Sequence, residues 1–458
     1  MDLLIALHDA LSHRLLRPAY ELGRGLARRH RLAYRAYREG LRFRRASAVW
    51  SLARRDEWVL ARLRNMLRYA YASTAFYRER WDAIGFDPRA DFDWSDFARL
   101  PVLTRADVHE HGAALRSTAV PDWEVERNAT GGSSGRPVEI WMGPVERGWR
   151  ASGAEYSMRR LGVGHGVRRA LLWGHHLDPV QREGLLDRVL DLLANRRWYD
   201  CFRLSPERLL AYDRDLRRYR PRCMVAYASA LAALAAELER RGAPPPPYPS
   251  VCFVTGAEKL YDDQRALIER VFRRPVHERY GSRDVGDMGF QYLESGSRHY
   301  DVDWALVLLE PETAETEAPI LVTKLHGDGM PMIRYAVDDI GRFPPGAVPG
   351  RPTYRLEAVV GRKADRIMLP QGGWVHGIHF PHLLKDFPLR DFQVRQAADY
   401  GVTVRLVAGP AFSEAHRRAI EANLRANLPG LSVTCELVDA VPRTPANKWR
   451  PVISEVGG

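Results

Sequence analysis

The sequence predicts a large α/β domain followed by a small α+β domain. Its 458 residues suit about three domains by length. Between residues 251 and 280, strand, helix and strand patterns alternate, which is typical of a parallel or mixed sheet. After Gly361, strand patterns at 392–397, 402–408 and 431–438 surround a helix pattern at 413–428. We therefore expect a basic helical region at 1–70, a large domain at 71–361 and a small domain at 362–458.

The elements before residue 251 are predicted from local patterns. Val125–Met142 reads as two strands around a Gly/Ser loop, since apolar and polar residues alternate toward Met142. Ser205-Pro206-Glu207 is a strong helix start, with a capping hydroxyl, a proline and an early acid. Helix patterns occupy 144–162, 179–195, 205–218 and 229–241. Two further strand patterns follow at 302–309 and 319–324.

Charge is unevenly distributed along the chain. The net charge is +12, and residues 1–70 hold 16 arginines against 6 acidic residues. This basic region either docks on an anionic membrane surface or partner, or forms solvated helices packed on the body. No recognised nucleic-acid motif accompanies it, so we expect no nucleic-acid partner. Only five lysines occur among the 69 basic residues, and lysine, unlike arginine, is a compact charge that can be aimed at one oxygen.

The sequence also indicates a compartment. The first residues carry Asp2, His8, Asp9 and His13, which interrupt the apolar region that a signal peptide needs. The apolar run Cys223–Ala236 is too short to span a bilayer. The four cysteines are too far apart in sequence to suggest a zinc site or a disulfide framework. We expect a cytoplasmic protein, with peripheral membrane contact as an open interpretation.

The first motif is the Gly/Ser loop Thr130–Pro137, with the sequence TGGSSGRP. Glycines allow close approach of backbone to a ligand, and hydroxyls with successive amides can hold phosphate oxygens. The loop lacks the Gly-Lys-Ser ending of a Walker loop, and a strand follows it instead of a helix. Taken alone, it also fits an ordinary turn.

Four further motifs follow, each of which also has an ordinary structural explanation. In Tyr280–Asp284 an aromatic ring could stack on a flat ligand, and a carboxylate four residues later could reach Mg²⁺. Pro331–Asp339 ends in an acid that could accept hydrogen bonds from ribose hydroxyls, or it is a surface turn. Gly361–Asp365 and Pro442–Arg450 fit a basic linker and a basic tail.

In order and spacing these five motifs resemble the adenylate-forming superfamily, most nearly its phenylacetate–CoA ligase branch and the relatives of that branch in capsule biosynthesis. The segments Ser73–Tyr77 and Leu100–Asp107 are similar to that branch as well, so the resemblance covers about residues 65–455. It implies an AMP-forming carboxylate ligase that uses ATP and Mg²⁺, with no zinc because 291–299 contains no cysteine.

The resemblance also implies roles for individual residues. Lys448 would be the catalytic lysine, carried by the small domain, and Asp284 would bind Mg²⁺. Arg362 would lie at the hinge near the ribose, which Asp339 would bind. The phosphate loop would comprise Thr130, Gly131, Gly132, Ser133, Ser134 and Gly135. The adenine side would be lined by Gly256, Ala257, Glu258, Tyr280 and Gly281.

Three positions depart from the family pattern. Asp284 replaces a glutamate and is one methylene shorter, Asp338 replaces the glycine before the ribose acid, and Asn447 replaces the glycine before the lysine. A weaker expectation concerns the acyl pocket, where His175, His176 and Tyr227 lie in the region that forms it in relatives. For each of these three side chains an ordinary packed or hydrogen-bonded role is the simpler interpretation.

The predicted function is the ATP-dependent activation of a carboxylic acid as an acyl-adenylate, followed by transfer to a thiol, with coenzyme A as the default acceptor. Two alternatives stay open: transfer to an amine in secondary-metabolite or cell-surface synthesis, and a degenerate relative that acts as a scaffold. A homodimer is a further expectation, taken from the family alone.

Overall fold

The computed structural model describes residues 31–129, 139–173, 191–192, 194–201, 204–294, 296–362, 366–371, 374–376, 379–384, 386–428, 430–442 and 450–456. The chain divides into two compact units. The large unit comprises Met1–Val337 and Phe343–Ala358, and the small unit comprises Asp338–Arg342 and Val359–Gly458.

The described part of the large unit begins with helices whose starts are set by local capping. Ser51 accepts a hydrogen bond from the amide of Arg54, and Thr104 forms a capping box with Asp107. These helices are α1 (Arg31–Ser47), α2 (Leu52–Ser73), α3 (Ala75–Asp82), α4 (Trp94–Ala98), α5 (Arg105–Glu110) and α6 (Gly112–Leu115). No helix within the described residues combines the length and apolar content that a membrane span requires.

Two antiparallel strands flank the predicted phosphate loop. They are β1 (Glu126–Ala129) and β2 (Glu139–Met142), and Ala129 pairs with Glu139. The loop residues between them lie outside the described residues. Directly after β2, helix α7 (Pro144–Arg160) begins with a proline in its first turn.

An eight-stranded sheet forms the centre of the large unit, in the order β13-β9-β8-β7-β6-β5-β3-β4. Its parallel strands are β3 (Arg169–Trp173), β4 (Arg196–Asp200), β5 (Cys223–Ala226), β6 (Cys252–Thr255) and β7 (Val276–Ser282). The antiparallel strands are β8 (Gly286–Phe290), β9 (Tyr300–Val302) and β13 (Arg355–Leu356). Helices α8 (Pro206–Tyr219), α9 (Ala228–Arg240) and α10 (Asp262–Phe272) alternate with the parallel strands. The predicted α/β fold class is thereby confirmed.

A four-stranded sheet has the order β10-β11-β12-β14. Its strands are β10 (Val307–Pro311), β11 (Glu317–Lys324), β12 (Tyr335–Arg342) and β14 (Ala358–Arg362). Beside β12, the buried Arg334 contacts the carboxylate of the buried Glu310 at 3.1 Å. Arg334 also donates to the carbonyl of Leu100 at 2.6 Å, so this cation fixes the start of β12 to the segment before α5.

The small unit contains an α+β arrangement with a core of its own. Its sheet has the order β19-β18-β17-β20, and the buried Val394, Val404 and Ile420 belong to its core. The sheet strands are β17 (Leu389–Gln396), β18 (Val402–Ala408), β19 (Val433–Leu437) and β20 (Val452–Ser454). The other elements are β15 (Arg366–Met368), β16 (Trp374–His376), α11 (His379–Leu384) and α12 (Glu414–Asn427).

Candidate nucleotide and acyl site

The carboxyl ends of the parallel strands bring several predicted site residues together. Leu172 of β3 pairs with Ala226 of β5, which pairs with Thr255 of β6. Tyr227 and Gly256 follow directly after β5 and β6, so they lie side by side at one edge of the sheet. Open α/β sheets bind their ligands outside this edge. The arrangement is typical of a ligand-binding edge.

Tyr227 lies in an aromatic contact at this edge. Its ring centroid is 4.3 Å from that of Trp173, with the planes at 73°, and Tyr227 is almost fully buried. The guanidinium of Arg279 lies over the Trp173 ring at 5.1 Å. Tyr227 therefore contributes packing at the edge whether or not it touches a substrate. His175 and His176 lie outside the described residues.

The turn after β6 is held in an unusual conformation. Ala257 has φ +66°, a left-handed backbone that is uncommon for residues other than glycine and that is frequent at functional sites. A Cβ atom on Gly256 would lie 2.9 Å from Cγ of Arg279, so only glycine fits beside that arginine without displacing it. Gly256 is buried. The left-handed backbone at Ala257 and the lack of room for a side chain at Gly256 together specify this turn.

Glu258 is the third residue of this turn. One of its carboxylate oxygens accepts a hydrogen bond, and the other has no partner among the described residues. Its Oε2 accepts the backbone N–H of Ser229 at 3.0 Å, in the first turn of α9, where a negative charge is favoured. Its Oε1 is buried and has no hydrogen-bond partner among the described residues. A buried acceptor without a donor is costly. The structure thus leaves one acceptor at the predicted adenine side open to a ligand donor.

Tyr280 and Gly281 lie on β7, next along the sheet. The ring of Tyr280 is nearly buried and makes an edge contact with Tyr300, with centroids 6.2 Å apart. The register between β7 and β8 shifts between Tyr280 and Gly281, and such bulges are frequent beside active sites. A Cβ on Gly281 would lie 2.5 Å from the carbonyl oxygen of Gly286, which explains the glycine.

Asp284, the predicted Mg²⁺ ligand, is held by a hydrogen bond. It is buried in the turn between β7 and β8, and its Oδ2 accepts the hydroxyl of the buried Tyr335 at 2.8 Å. Within the described residues, no three histidine, cysteine, aspartate or glutamate side chains form a group suited to a metal ion. Mg²⁺ needs no such group, because it often binds one carboxylate together with substrate phosphates and waters. The single carboxylate therefore fits this mode of binding.

A buried ion pair that sequence analysis missed lies beside this carboxylate. The ammonium of Lys324 lies 2.9 Å from Oε1 of Glu146, and both residues are only 2% exposed. Arg150 contacts the same oxygen at 3.2 Å, whereas Oε2 of Glu146 has no hydrogen-bond partner among the described residues. Burial lowers the pKa of Lys324, and the nearby carboxylates of Glu146 and Asp284 oppose that shift. The rarity of lysine in this chain was the one available signal.

Asp328 fixes the start of α7, which carries Glu146. Its two carboxylate oxygens accept the amides of Val145 and Glu146, each at 2.9 Å. Burial raises the pKa of Asp328 to about 6, although these two hydrogen bonds act in the opposite direction. A Cβ on Gly143 would collide with the Asp328 carboxyl group, so this helix start depends on a glycine.

The remaining predicted residues belong to the small unit or lie outside the described residues. In β12, Asp338 has φ +63°, which explains why relatives would use glycine there, and Asp339 is half-buried beside it. Arg362 ends β14, and its side chain is not described. Lys448 and Thr130–Gly135 lie outside the described residues. Their roles stay predictions.

Comparisons with known proteins agree with the predicted resemblance. The phenylacetate–coenzyme A ligase of Pseudomonas putida is 25% identical over 330 residues, covering 68% of this chain and 71% of that protein. Protein CapK of Staphylococcus aureus is 19% identical over 368 residues, covering 78% of this chain and 80% of that protein. No family model matches the chain.

Solved structures agree on the fold. A 2-hydroxyisobutyryl-CoA ligase in its postadenylation state matches with a TM-score of 0.69 at 18% identity, over 89% of this chain and 90% of that protein. The predicted resemblance to AMP-forming carboxylate ligases is confirmed. The chain is similar in sequence to phenylacetate–CoA ligases and to CapK, and it shares its fold with the 2-hydroxyisobutyryl-CoA ligase.

Proposed function

We propose that this protein is an ATP-dependent ligase that activates a carboxylic acid as its acyl-adenylate and transfers the acyl group to coenzyme A. The observation that supports it most is the edge of the central sheet, where the strand-end turn at Gly256 and the ring of Tyr280 lie on neighbouring strands. The similarity to proteins named phenylacetate–coenzyme A ligase supports the reaction class.

In the first half-reaction, an oxygen of the substrate carboxylate attacks the α-phosphorus of ATP. The bond to the bridging oxygen breaks, and pyrophosphate leaves. Tyr280 offers a flat ring to the adenine, and Asp339 would accept hydrogen bonds from the ribose with Arg362 nearby. The loop Thr130–Gly135 would hold the phosphates. The protein contributes mainly by positioning and by neutralising charge.

Asp284 would hold Mg²⁺, which when bound neutralises phosphate charge. The hydrogen bond from Tyr335 fixes the Asp284 carboxylate before any ligand arrives, so little reorganisation is needed on binding. Lys448 would bridge the substrate carboxylate and an α-phosphate oxygen.

In the second half-reaction, the sulfur of coenzyme A attacks the acyl carbon. The bond between that carbon and the AMP oxygen breaks, AMP leaves, and the thiol proton passes to solvent. A rotation of the small domain at the hinge near Arg362 would remove Lys448 and admit the acceptor. An amine could replace the thiol, with its nitrogen attacking the acyl carbon and AMP leaving in the same way. The expected homodimer stays a prediction.

The test is a screen of carboxylic acids for pyrophosphate release, with and without coenzyme A. The proposal expects at least one acid to give an acyl-CoA product only when coenzyme A is present. Product formed with an amine but not with coenzyme A would favour the amide-forming alternative. Failure to bind ATP by calorimetry would overturn the ligase assignment and favour the scaffold.

Lys448→Ala is expected to lower acid-dependent ATP–pyrophosphate exchange about 10²–10³-fold, as loss of one transition-state donor does. Lys385→Ala, in the same part of the chain, is the matched control and should retain exchange. The conversion of a preformed acyl-adenylate should survive in Lys448→Ala. Thr130→Ala should likewise weaken exchange, and an unchanged rate there would remove the Gly/Ser loop from the proposed phosphate site.

A further inference from the structure

Helix α1 has two chemically distinct faces. Its sequence, RLAYRAYREGLRFRRAS, contains six arginines and one glutamate within Arg31–Ser47. Arg44 is buried, whereas the other five arginines are exposed: Arg31, Arg35, Arg38, Arg42 and Arg45. At 100° per residue, these five positions fall within an arc of about 80°, along about 21 Å of helix. We call them the arginine stripe.

The opposite face of α1 is fixed to α7 by close packing. Gly40 lies against Ser152, and Gly148 lies against the backbone at Ala33, with no room for a Cβ on either glycine. Arg44 then donates to both carboxylate oxygens of Asp303, at 3.0 and 2.7 Å. Because small residues and a buried two-point ion pair hold this face, α1 cannot roll about its axis. The packing of the opposite face therefore keeps the arginine stripe exposed.

The surface along the stripe carries both charge and aromatic rings. A shallow, open depression there is lined by residues of α1 alone: Tyr34, Arg35, Arg38, Glu39, Arg42, Phe43 and Ala46. Glu39 is the single acid within Arg31–Ser47. Guanidinium groups bind phosphate oxygens with two parallel N–H donors. The arginine stripe therefore matches a surface of closely spaced phosphates.

An apolar tip follows the stripe. Val49, between α1 and α2, is 90% exposed, and Leu52, the first residue of α2, is 60% exposed, which is high for aliphatic side chains. The exposed Arg54 lies over the ring of Trp50 at 4.2 Å, so a cation stands beside these two residues. Exposed aliphatic residues next to cations are characteristic of proteins that touch the headgroup region of a bilayer.

We propose that the arginine stripe and the apolar tip form a docking surface for an anionic phospholipid membrane. The arginines contact headgroup phosphates, while Val49 and Leu52 enter the headgroup region. A nucleic acid would satisfy the arginines but would give Val49 and Leu52 nothing apolar to contact. This inference goes beyond the proposed ligase activity: it would place that activity at a membrane surface, where acids of lipid or cell-surface synthesis are made or consumed.

The test is co-sedimentation of the full chain with vesicles of phosphatidylcholine alone or with 30% phosphatidylserine. At about 0.1 M salt, binding should be at least about 10-fold tighter to the anionic vesicles, and raising the salt to about 0.5 M should abolish the difference. The triple substitution Arg35→Gln, Arg38→Gln, Arg42→Gln should weaken binding about 100-fold. Equal binding to both vesicle types would overturn the proposal.

The matched control is Arg214→Gln, Arg218→Gln, Arg418→Gln, which removes three exposed arginines from other helices. It changes the net charge equally and should weaken binding less than about 3-fold, because bulk charge acts weakly beyond a Debye length. Equal losses in the two triple variants would also overturn the proposal. ATP–pyrophosphate exchange should be unchanged in both variants, which confirms that each is folded.

A second variant separates a membrane from other polyanions. Val49→Ser with Leu52→Ser keeps every charge, and it should weaken vesicle binding about 10-fold while leaving any binding to a short duplex DNA unchanged. If the serine variant bound vesicles like the wild type, and duplex DNA competed fully for the protein, the surface would be a general polyanion site and the membrane proposal would be wrong.

Discussion

The substitution Lys324→Met tests the buried ion pair beside the predicted Mg²⁺ ligand. Methionine nearly preserves the length of the side chain but removes the charge. Among the described residues, the Glu146 carboxylate then keeps only its side-chain contact with Arg150, at 3.2 Å. Breaking a buried pair by removing one partner costs about 3–5 kcal/mol, because an uncompensated charge stays inside. Since Arg150 remains, we expect the lower value, about 3 kcal/mol.

This loss of stability can be measured by urea unfolding, with intrinsic fluorescence as the signal. With an m-value of about 3 kcal/mol/M, a loss of about 3 kcal/mol moves the unfolding midpoint of the main transition by about 1 M. Arg89→Met is the control, because its pair with Asp87 is exposed on both sides at 2.8 Å. Exposed pairs contribute about 0–1 kcal/mol, so that control should move the midpoint by less than about 0.3 M.

The double variant Lys324→Met, Glu146→Gln decides whether the loss comes from the stranded carboxylate. Glutamine removes the negative charge and still accepts a hydrogen bond from Arg150, so the double variant should regain most of the stability that the single variant loses. A Lys324→Met protein with the wild-type midpoint would refute the reasoning. A double variant no more stable than the single variant would show that the cost arises from packing instead of charge.

Two further predictions concern the site. Tyr280→Ala should raise the KM for ATP about 3- to 10-fold, because an aromatic stacking contact contributes about 0.5–1.5 kcal/mol. Tyr280→Phe should leave this KM nearly unchanged, and similar KM values for the two variants would exclude adenine stacking. The second concerns Asp328, whose pKa is raised to about 6 in the folded protein. Its protonated form is favoured by folding, so its contribution to stability is present below about pH 4 and is lost as the pH rises through about 6. In thermal unfolding, the stability of the wild type relative to Asp328→Asn should therefore be lower at pH 7 than at pH 5. The same stability difference between the two proteins at both pH values would contradict this assignment.

Local sequence predicted those elements whose signals lie within a few residues. Ser205 and Pro206 define the start of α8, where the Ser205 hydroxyl accepts the amide of Arg208 at 3.3 Å. The strand pair around the Gly/Ser loop, the helix at 262–272 and the strand at 276–282 also match their predicted positions within two residues. Capping and alternation are properties of neighbouring residues, so they can be read without the fold.

Several strands of the central sheet were missed, and for β5 the reason is physical. All four residues of β5, Cys223–Ala226, are buried, and the run continues into α9 without a charged residue before Glu237. A strand covered on both faces shows no alternation, so its pattern cannot be separated from that of a buried helix. Strands β3 (Arg169–Trp173) and β4 (Arg196–Asp200) were not predicted either, although β3 carries Trp173 to the edge where Tyr227 lies.

By itself the sequence determined the order of the motifs, the superfamily they resemble, the α/β class and the basic character of the first residues, because each of these is a matter of residue type and near spacing. Only the tertiary structure decided the partners: Lys324 with Glu146, Asp328 with the start of α7, and Arg44 with Asp303. These groups lie more than 170 residues apart in the chain. No local pattern specifies which distant charge a side chain will meet, because that choice depends on burial and on the path of the whole chain.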